Sequence, residues 1–270
     1  MSDHVVKHGE RIPQDVRNTI AVRYYAITRA INREFWNSAS DTAHSMYVGS
    51  YGRGTAVTTS DIDILVEVPQ EDYQRYHYAK GNGQSRLLQT VRAALLTTYP
   101  RTDIRADGQV VKVQFSDGMK MEILPAFKKQ PFWNLPVSGY SYPDTNGGGR
   151  WLSTDPKAEQ NAMQEKNRSS NGLLFDTCKH IRYIRDTYYS SYHLSGIVID
   201  SFVFHAIQSW RWTKPEEGGG ASAGSFEDAL LRYYNDVVRF ESTITAPGSG
   251  QSIDIRSSVD CLGKVLQRIR

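Results

Sequence analysis

The sequence lacks most features that mark secreted, membrane or strongly charged proteins. It has two cysteines in 270 residues, Cys178 and Cys261, which are too few for a disulfide framework or a four-ligand zinc site. No apolar run approaches the ~18 residues needed to span a bilayer, and the N-terminus has no signal-peptide pattern. The formal net charge is only +3. These absences predict a soluble, cytoplasmic protein that does not bind a membrane.

Hydrophobic periodicity predicts that the first half of the chain is α/β. Apolar residues three and four positions apart predict a long amphipathic helix over residues 13–37, and a second helix is predicted over 84–98. Strands are predicted at 46–48, 61–68, 103–105, 109–115 and 120–124. Residues 125–154 are rich in Gly, Pro, Trp and Tyr with little periodicity, so they are predicted to form a long loop.

The second half of the chain has an almost wholly helical pattern. Helices are predicted over 156–168, 171–189, 201–212, 226–240 and 255–268. The Gly-rich stretch 216–224 is predicted to be a flexible insert. The expected fold class is therefore α+β, with a core that includes the N-terminal helix over residues 1–154 and a helical lobe over 155–270.

Three acidic residues lie in predicted strands that are otherwise apolar. Asp61 and Asp63 are two positions apart, so their side chains point to the same face of the sheet, where they repel unless a cation lies between them. Glu122 lies in a separate predicted strand between apolar neighbours. Mg²⁺ is commonly bound by a few carboxylates together with substrate phosphates, so the pattern predicts a metal site. The alternative, solvated acids on a surface strand, conflicts with the apolar residues on both faces of 61–68.

A glycine-rich turn precedes these acids and carries a family resemblance. Gly49 and Ser50 follow a predicted strand, where backbone N–H groups and a hydroxyl can bind phosphate, and Asp61 follows Ser50 by 11 residues. The segments VGSYGRGT, SDIDI and VKVQFSDGMKMEILPAF together resemble the polymerase-β-like nucleotidyltransferase superfamily, and within it the cGAS/DncV-like branch of bacterial defence enzymes (CD-NTases with a SMODS domain). The segments WLSTDPKAEQNAM, CKHIRYI and DSF are similar to that branch's helical-lobe motifs, so the resemblance covers roughly residues 45–212.

The resemblance implies a polymerase-β-like core, a mixed sheet with a long N-terminal helix, packed on a helical lobe that closes the active-site cleft. It implies two Mg²⁺ ions, which Mn²⁺ can replace, held by Asp61 and Asp63, with Glu122 on the ion that activates the acceptor hydroxyl. The branch more often has Asp where this chain has Glu122. Asp103 and Asp107 are the alternative third ligands.

The resemblance also implies a set of residues that bind the nucleotide. Gly49 and Ser50 would hold the terminal phosphates, and Arg53, Lys179 and Ser201 would be further nucleotide-binding residues. Each of the last three has a structural alternative, which is a loop ion pair for Arg53, a solvated helix face for Lys179 and a helix N-cap for Ser201.

The implied activity is metal-dependent and template-independent. Such an enzyme joins nucleoside triphosphates into a signalling nucleotide or oligonucleotide, with release of pyrophosphate, in bacterial anti-phage defence. The expected partners are nucleoside triphosphates, the enzyme's own oligonucleotide product and an effector protein from the same operon. Two other functions are compatible with the sequence: nucleotide transfer onto an RNA end or a protein hydroxyl, and a catalytically inactive nucleotide-binding regulator.

Overall fold

The computed structural model describes residues 3–57, 61–130, 137–213 and 225–270. The chain forms two compact units. The core unit comprises Ile12–Gly52 and Ser60–Pro156, and the helical unit comprises Met1–Arg11, Arg53–Thr59 and Lys157–Arg270. The predicted boundary between a core over 1–154 and a helical lobe over 155–270 stays a prediction; by spatial contacts, Met1–Arg11 and Arg53–Thr59 group with the helical unit. The predicted insert at 216–224 lies outside the described residues.

The core unit is a mixed sheet with helices packed on one face. Its helices are α1 (Gln14–Trp36), α2 (Gly49–Gly52), α3 (Tyr73–His77) and α4 (Gly83–Thr98). Its strands are β1 (Ser45–Val48), β2 (Ile62–Val68), β3 (Asp103–Asp107), β4 (Val110–Gln114), β5 (Lys120–Lys128), β6 (Tyr140–Asp144) and β7 (Arg150–Thr154). The two predicted helices and the predicted strands are confirmed to within a few residues.

Strand pairing separates an apolar face of the sheet from a polar one. The strands follow the order β1-β2-β5-β4-β3, and β6 pairs with the far end of β5 and with β7. Strands β2 and β5 are parallel. Alternate residues of these strands, such as Ile64 and Ile123, are fully buried in the cluster that includes α1 and α4. Because side chains alternate along a strand, Asp63 and Glu122 lie on the opposite face.

The prediction of a long loop over 125–154 is wrong for 125–128 and for 140–154, and its residues 131–136 lie outside the described residues. Strand β5 continues to Lys128, and residues 140–154 form a hairpin of β6 and β7. Its turn contains Gly147, Gly148 and Gly149, whose φ angles are 61°, 92° and 97°, a region that glycine adopts without strain. The sequence signal is weak because β7 lies at the edge of the sheet and is only partly buried along its length.

The helical unit is a bundle with a small hairpin. Its elements are α5 (Pro156–Ser169), α6 (Leu173–Tyr188), α7 (Gly196–Ala206), α8 (Ser225–Asp236), β8 (Thr243–Thr245), β9 (Ser252–Asp254) and α9 (Val259–Ile269). The predicted helices are confirmed except that 201–212 is displaced, because α7 begins after Ser195. The sequence did not predict the hairpin. None of the described helices is long and apolar enough to cross a membrane.

A buried ion-pair network surrounds Asp200 of α7. Its Oδ1 accepts a hydrogen bond from Arg182 Nη1 at 2.7 Å, and its Oδ2 accepts from Arg53 Nε at 2.8 Å and from Thr55 Oγ1 at 3.0 Å. Arg53 Nη1 also donates to Glu159 Oε2 at 3.0 Å. Burial alone would raise the pKa of Asp200, but Arg182 and Arg53 bring it below its ordinary value. The network attaches the segment that follows α2 to the helices of the unit.

Residues 3–9 lie along the same bundle and are hydrogen-bonded to it. The bonds are Asp3 N to the Arg268 carbonyl (3.2 Å), Val5 N to Glu227 Oε1 (2.9 Å), His8 N to Asp176 Oδ1 (2.8 Å), His8 Nε2 with His180 Nδ1 (2.8 Å) and Lys179 Nζ to the Gly9 carbonyl (2.7 Å). The segment is therefore part of the bundle and not of the core unit.

Asp200→Asn should strongly destabilise the helical unit. The change removes the negative charge that compensates Arg182 and Arg53, which are 1% and 7% exposed. Removing one partner of a buried ion pair costs about 3–5 kcal/mol, so the melting temperature should fall by several degrees in a thermal denaturation experiment.

The matched control is Asp228→Asn in the same unit. Asp228 forms an exposed ion pair with Arg270, and such pairs contribute little to stability. Its melting temperature should stay near that of the wild type. Equal melting temperatures for the two variants would show that the network around Asp200 is not a stabilising centre.

Candidate functional site

The three predicted acids lie on the polar face of the core-unit sheet. Asp61 immediately precedes β2 and Asp63 lies within it, and Asp63 is directly opposite Glu122 in the parallel pair β2–β5. Asp61 and Glu122 line one pocket with a volume of about 270 Å³. Asp61 is exposed, whereas the other two are half-buried. The structure therefore brings Glu122 beside Asp61 and Asp63, although it is distant from them in sequence.

The electrostatics around Glu122 favour a bound cation. Burial raises the pKa of Glu122, the cation of Lys112 lowers it, and the charges of Asp61 and Asp107 raise it again, with a net rise. Lys112 Nζ is 3.7 Å from Glu122 Oε1. Carboxylates that repel one another on a half-buried face are stabilised in their ionised form when a divalent cation binds between them.

The donor chemistry of the three acids suits a hard divalent cation. Across the described ranges, however, no group of three or more His, Cys, Asp or Glu side chains is arranged to hold a metal ion. Mg²⁺ does not need such a set, because it usually keeps several waters and is bound by one or two carboxylates plus substrate phosphates. The donors at Asp61, Asp63 and Glu122 are all oxygen atoms, which suit Mg²⁺ or Mn²⁺.

Strand order favours Glu122 over the alternative third ligands. Asp103 and Asp107 lie on β3, which is separated from β5 by β4. Asp103 pairs with Arg105 Nε at 2.9 Å, and Asp107 pairs with Lys112 Nζ at 2.6 Å. Glu122, by contrast, lies on the strand next to Asp63.

The glycine-rich turn is packed directly against Asp63. The last residue of β1, Val48, pairs with Asp63 of β2, and the chain then enters the four-residue helical turn α2 at Gly49. Gly49 has a φ of 60°, and a Cβ atom there would lie 1.8 Å from Asp63 Oδ2. Only glycine fits this position without displacing the carboxylate. Ser50, the next residue, is half-buried.

Arg53 and Lys179 belong to the helical unit, and both are largely buried. Arg53 takes part in the Asp200 network, which is the ion pair that the sequence offered as its alternative role. Lys179 is 8% exposed and donates to the carbonyl of Gly9, so the alternative of a solvated helix face is wrong. Burial lowers the pKa of Lys179. The nucleotide-binding roles of Arg53 and Lys179 stay predictions.

Ser201 lies in the interior of α7 and not at its start. The helix begins at Gly196 after Ser195, so the N-cap alternative for Ser201 is wrong. Its Oγ is fully buried and has no hydrogen-bond partner within the part of the chain that the structure describes. An unpaired buried hydroxyl costs about 1–3 kcal/mol, which is consistent with a role in holding a polar ligand. That role also stays a prediction.

Sequence reasoning missed the cations beside Glu122. Lys112 of β4 lies directly opposite Glu122, and Arg105 of β3 lies opposite Lys112. The available signal was the alternation in β4, where buried Val111 and Val113 flank an exposed Lys112. Alternation identifies a polar face, but it does not show which strand lies beside it.

Gly49→Ala should disrupt the metal site. The added methyl group overlaps the carboxylate of Asp63, which must move out of its position. We expect Mn²⁺ binding, followed by electron paramagnetic resonance, to weaken at least tenfold, because ligands must be held close to their working geometry. The control is Gly81→Ala, where φ is also positive, at 80°, but nothing lies within 4 Å of the new Cβ. Equal Mn²⁺ affinity of the two variants would contradict the prediction that Asp63, packed against Gly49, binds a metal ion.

A comparison with protein-family models gives one match on this chain. Residues 11–167 match the Second Messenger Oligonucleotide or Dinucleotide Synthetase domain, abbreviated SMODS. The matched range contains the glycine-rich turn and all three acids. No curated protein sequence matches the chain.

Solved structures with a similar fold include nucleotide cyclases. The CdnE cyclic dinucleotide synthase from Elizabethkingia meningoseptica, solved with GTP and Apcpp, has a TM-score of 0.65 at 13% identity, covering 98% of this chain and 93% of that one. The Vibrio cholerae DncV cyclic AMP-GMP synthase, in complex with a linear intermediate, has a TM-score of 0.67 at 12% identity, covering 94% and 83%. These low identities establish a shared fold. Together with the family match over more than half of the chain, they show that this protein belongs to the SMODS family and is a nucleotidyltransferase of the cGAS/DncV-like (CD-NTase) type.

Proposed function

We propose that this protein is a metal-dependent, template-independent enzyme that joins nucleoside triphosphates into a signalling nucleotide or oligonucleotide in bacterial anti-phage defence. The observation that carries the proposal is the cross-strand pair of Asp63 and Glu122, with Asp61 on the same face and the glycine turn against Asp63. The nucleotide ligands named in the similar structures support nucleoside triphosphates as substrates.

The proposed reaction is an in-line substitution at phosphorus. An acceptor hydroxyl loses its proton, its oxygen forms a bond to the α-phosphorus of the donor, and the bond from the α-phosphorus to the bridging oxygen breaks, so that pyrophosphate leaves with the electron pair. No protein nucleophile is required. Asp61, Asp63 and Glu122 would hold two Mg²⁺ or Mn²⁺ ions, which when bound lower the pKa of the hydroxyl and neutralise the leaving pyrophosphate.

The chain's own residues would position the reacting groups. Gly49 allows the backbone to pass close to Asp63, so that Ser50 and the start of α2 can receive the terminal phosphates beside the acids. Glu122 would orient the acceptor hydroxyl from the neighbouring strand. The paired register of Asp63 and Glu122, with Asp61 on the same face, argues against a catalytically inactive regulator, which has no need to keep costly like charges together.

Asp61→Asn and Asp63→Asn should each abolish nucleotide incorporation and leave the fold intact. Each change removes one of the like charges on this face of the sheet, so without metal the melting temperature should equal or exceed that of the wild type. The assay incubates the protein with each labelled NTP and dNTP plus Mg²⁺ or Mn²⁺, and resolves the products before and after phosphatase treatment. Asp41→Asn, which breaks an exposed ion pair with Arg29 in the same unit, is the control and should remain active. Wild-type product from either site variant would exclude the assigned acids.

The Glu122 variants separate charge from side-chain length. Glu122→Gln should abolish turnover, because it keeps the size of the side chain but loses the metal-binding charge. Glu122→Asp should keep measurable activity, with Mn²⁺ favoured over Mg²⁺ because Mn²⁺ tolerates imperfect geometry better. A fully active Glu122→Gln enzyme would remove Glu122 from the site, and Asp103→Asn and Asp107→Asn would then be tested for the same loss.

A further inference from the structure

Four charged residues form one row across the polar face of the core-unit sheet. The strand register places Asp63 opposite Glu122, Glu122 opposite Lys112, and Lys112 opposite Arg105. Adjacent strands lie about 4.8 Å apart, so the two cations lie one and two strand spacings beyond Glu122. The row passes from acids to cations in a direction away from β1, the strand that leads into the glycine turn.

The cations line the same pocket as two of the acids. Lys112, Arg105 and Lys120 form part of its wall together with Asp61 and Glu122. We call these three residues the basic wall. They come from three different strands, so the concave surface is built by the sheet itself.

Two members of the basic wall, Arg105 and Lys112, form exposed ion pairs with carboxylates of β3. Arg105 is bonded to Asp103, with 77% and 48% of their side chains exposed, and Lys112 to Asp107, with 48% and 61% exposed. Exposed pairs of this kind contribute at most about 1 kcal/mol, so a phosphate with more charge and more acceptor oxygens can replace the carboxylates. Arg53 differs in this respect, because it is bonded to buried carboxylates.

Metal binding would leave the positive charge of the basic wall with too little negative charge beside it. Glu122, which lies 3.7 Å from Lys112, and Asp61 would then share their charge with divalent cations. Within the pocket and its immediate edge, Asp103 and Asp107 would remain as carboxylates facing the three cations. A bound anionic ligand would neutralise this excess positive charge.

We propose that the basic wall binds the phosphates of the acceptor, meaning the nucleotide or 5′-phosphorylated intermediate whose hydroxyl attacks the donor. The inference rests on the proposed function, because Glu122 marks the position of the acceptor hydroxyl. A nucleotide carries its 5′-phosphates across the sugar from its 3′-hydroxyl. With the hydroxyl at Glu122, the phosphates of the acceptor therefore fall beside Lys112 and Arg105, while those of the donor lie at the turn of Gly49 and Ser50 beyond Asp63.

The test compares acceptors that differ only in phosphate. The donor is an α-³²P-labelled 2′,3′-dideoxynucleoside triphosphate at saturation, which has no hydroxyl and cannot act as acceptor. The acceptors are the nucleoside triphosphate, monophosphate and unphosphorylated nucleoside of the base that the wild type incorporates. Arg105→Gln and Lys112→Gln should each lower kcat/KM for the triphosphate acceptor about tenfold, since each removes a charge-assisted hydrogen bond. With Arg105→Gln, which does not contact Glu122, the rate with the nucleoside and the KM of the donor should not change.

Arg29→Gln is the matched control, because it removes an exposed arginine that pairs with Asp41 in the same unit. It should leave every acceptor unaffected. If Arg105→Gln lowers kcat/KM equally for the nucleoside and the triphosphate acceptor, or for neither, the inference is wrong even though the wild type is active. Arg105→Gln is the decisive variant, since Arg105 is one strand further than Lys112 from the acids.

Failure of the proposed function gives a different result, in which the wild type links no nucleotides at all. The basic wall is then tested by equilibrium dialysis of labelled inorganic tripolyphosphate with Mn²⁺ present. Weaker binding by Arg105→Gln and Lys112→Gln than by Arg29→Gln supports a phosphate site, and equal binding by all three overturns it.

Discussion

The parallel pairing of β2 with β5 determines which acids can act together in this protein. Asp63 and Glu122 are distant in sequence and become neighbours only because these strands pair in one register. A shift by one residue would turn Glu122 towards the apolar face and bring Ile123 to the polar one. The buried residues Ile64 and Ile123 oppose that shift, since they would lose their place in the core. The same packing that stabilises the sheet therefore keeps the carboxylates in position.

A second constraint acts on the chain between Ser50 and Asp61. Residues 53–57 belong to the helical unit, although the residues on either side belong to the core unit. Arg53 and Thr55 both bond to Asp200, and Arg53 also bonds to Glu159. A buried guanidinium needs such compensation, because an uncompensated charge in the interior is very costly.

The sequence was informative wherever the signal was local. The acids Asp61 and Asp63 could be assigned to one face because a strand alternates with a period of two. The start of α7 could not be predicted in this way, because an aspartate in an apolar stretch is typical of a helix cap. Asp200 instead lies inside the helix, where Arg182 and Arg53, which comes from a distant segment, compensate its charge. The burial of Lys179 was not predicted for the same reason, since its partner is the carbonyl of Gly9 in a distant segment.

The signals that were missed depend on contacts between distant segments. Strand β7 is only partly buried along its length, so the glycine turn is the clearest evidence of the hairpin in the sequence. The cations Lys112 and Arg105 were visible as exposed positions, but their proximity to Glu122 depends on the strand order, which alternation does not encode. Physical reasoning on one sequence identifies helices, strands and their polar and apolar faces more reliably than it identifies which strands pair in a sheet.

The hydrogen bonds of residues 3–9 have a consequence for the order of folding during synthesis. Their partners lie in α6, α8 and α9, from Asp176 to Arg268. At ~5–20 residues per second, a ribosome needs on the order of ten to fifty seconds to synthesise the chain between these positions. The segments that build the core unit are complete by Pro156, well before the helices with which residues 3–9 pair and before Asp200, a partner of Arg53. The sheet can therefore form first. Residues 3–9 and the segment that contains Arg53 can complete their contacts only after the helices of the bundle have been translated.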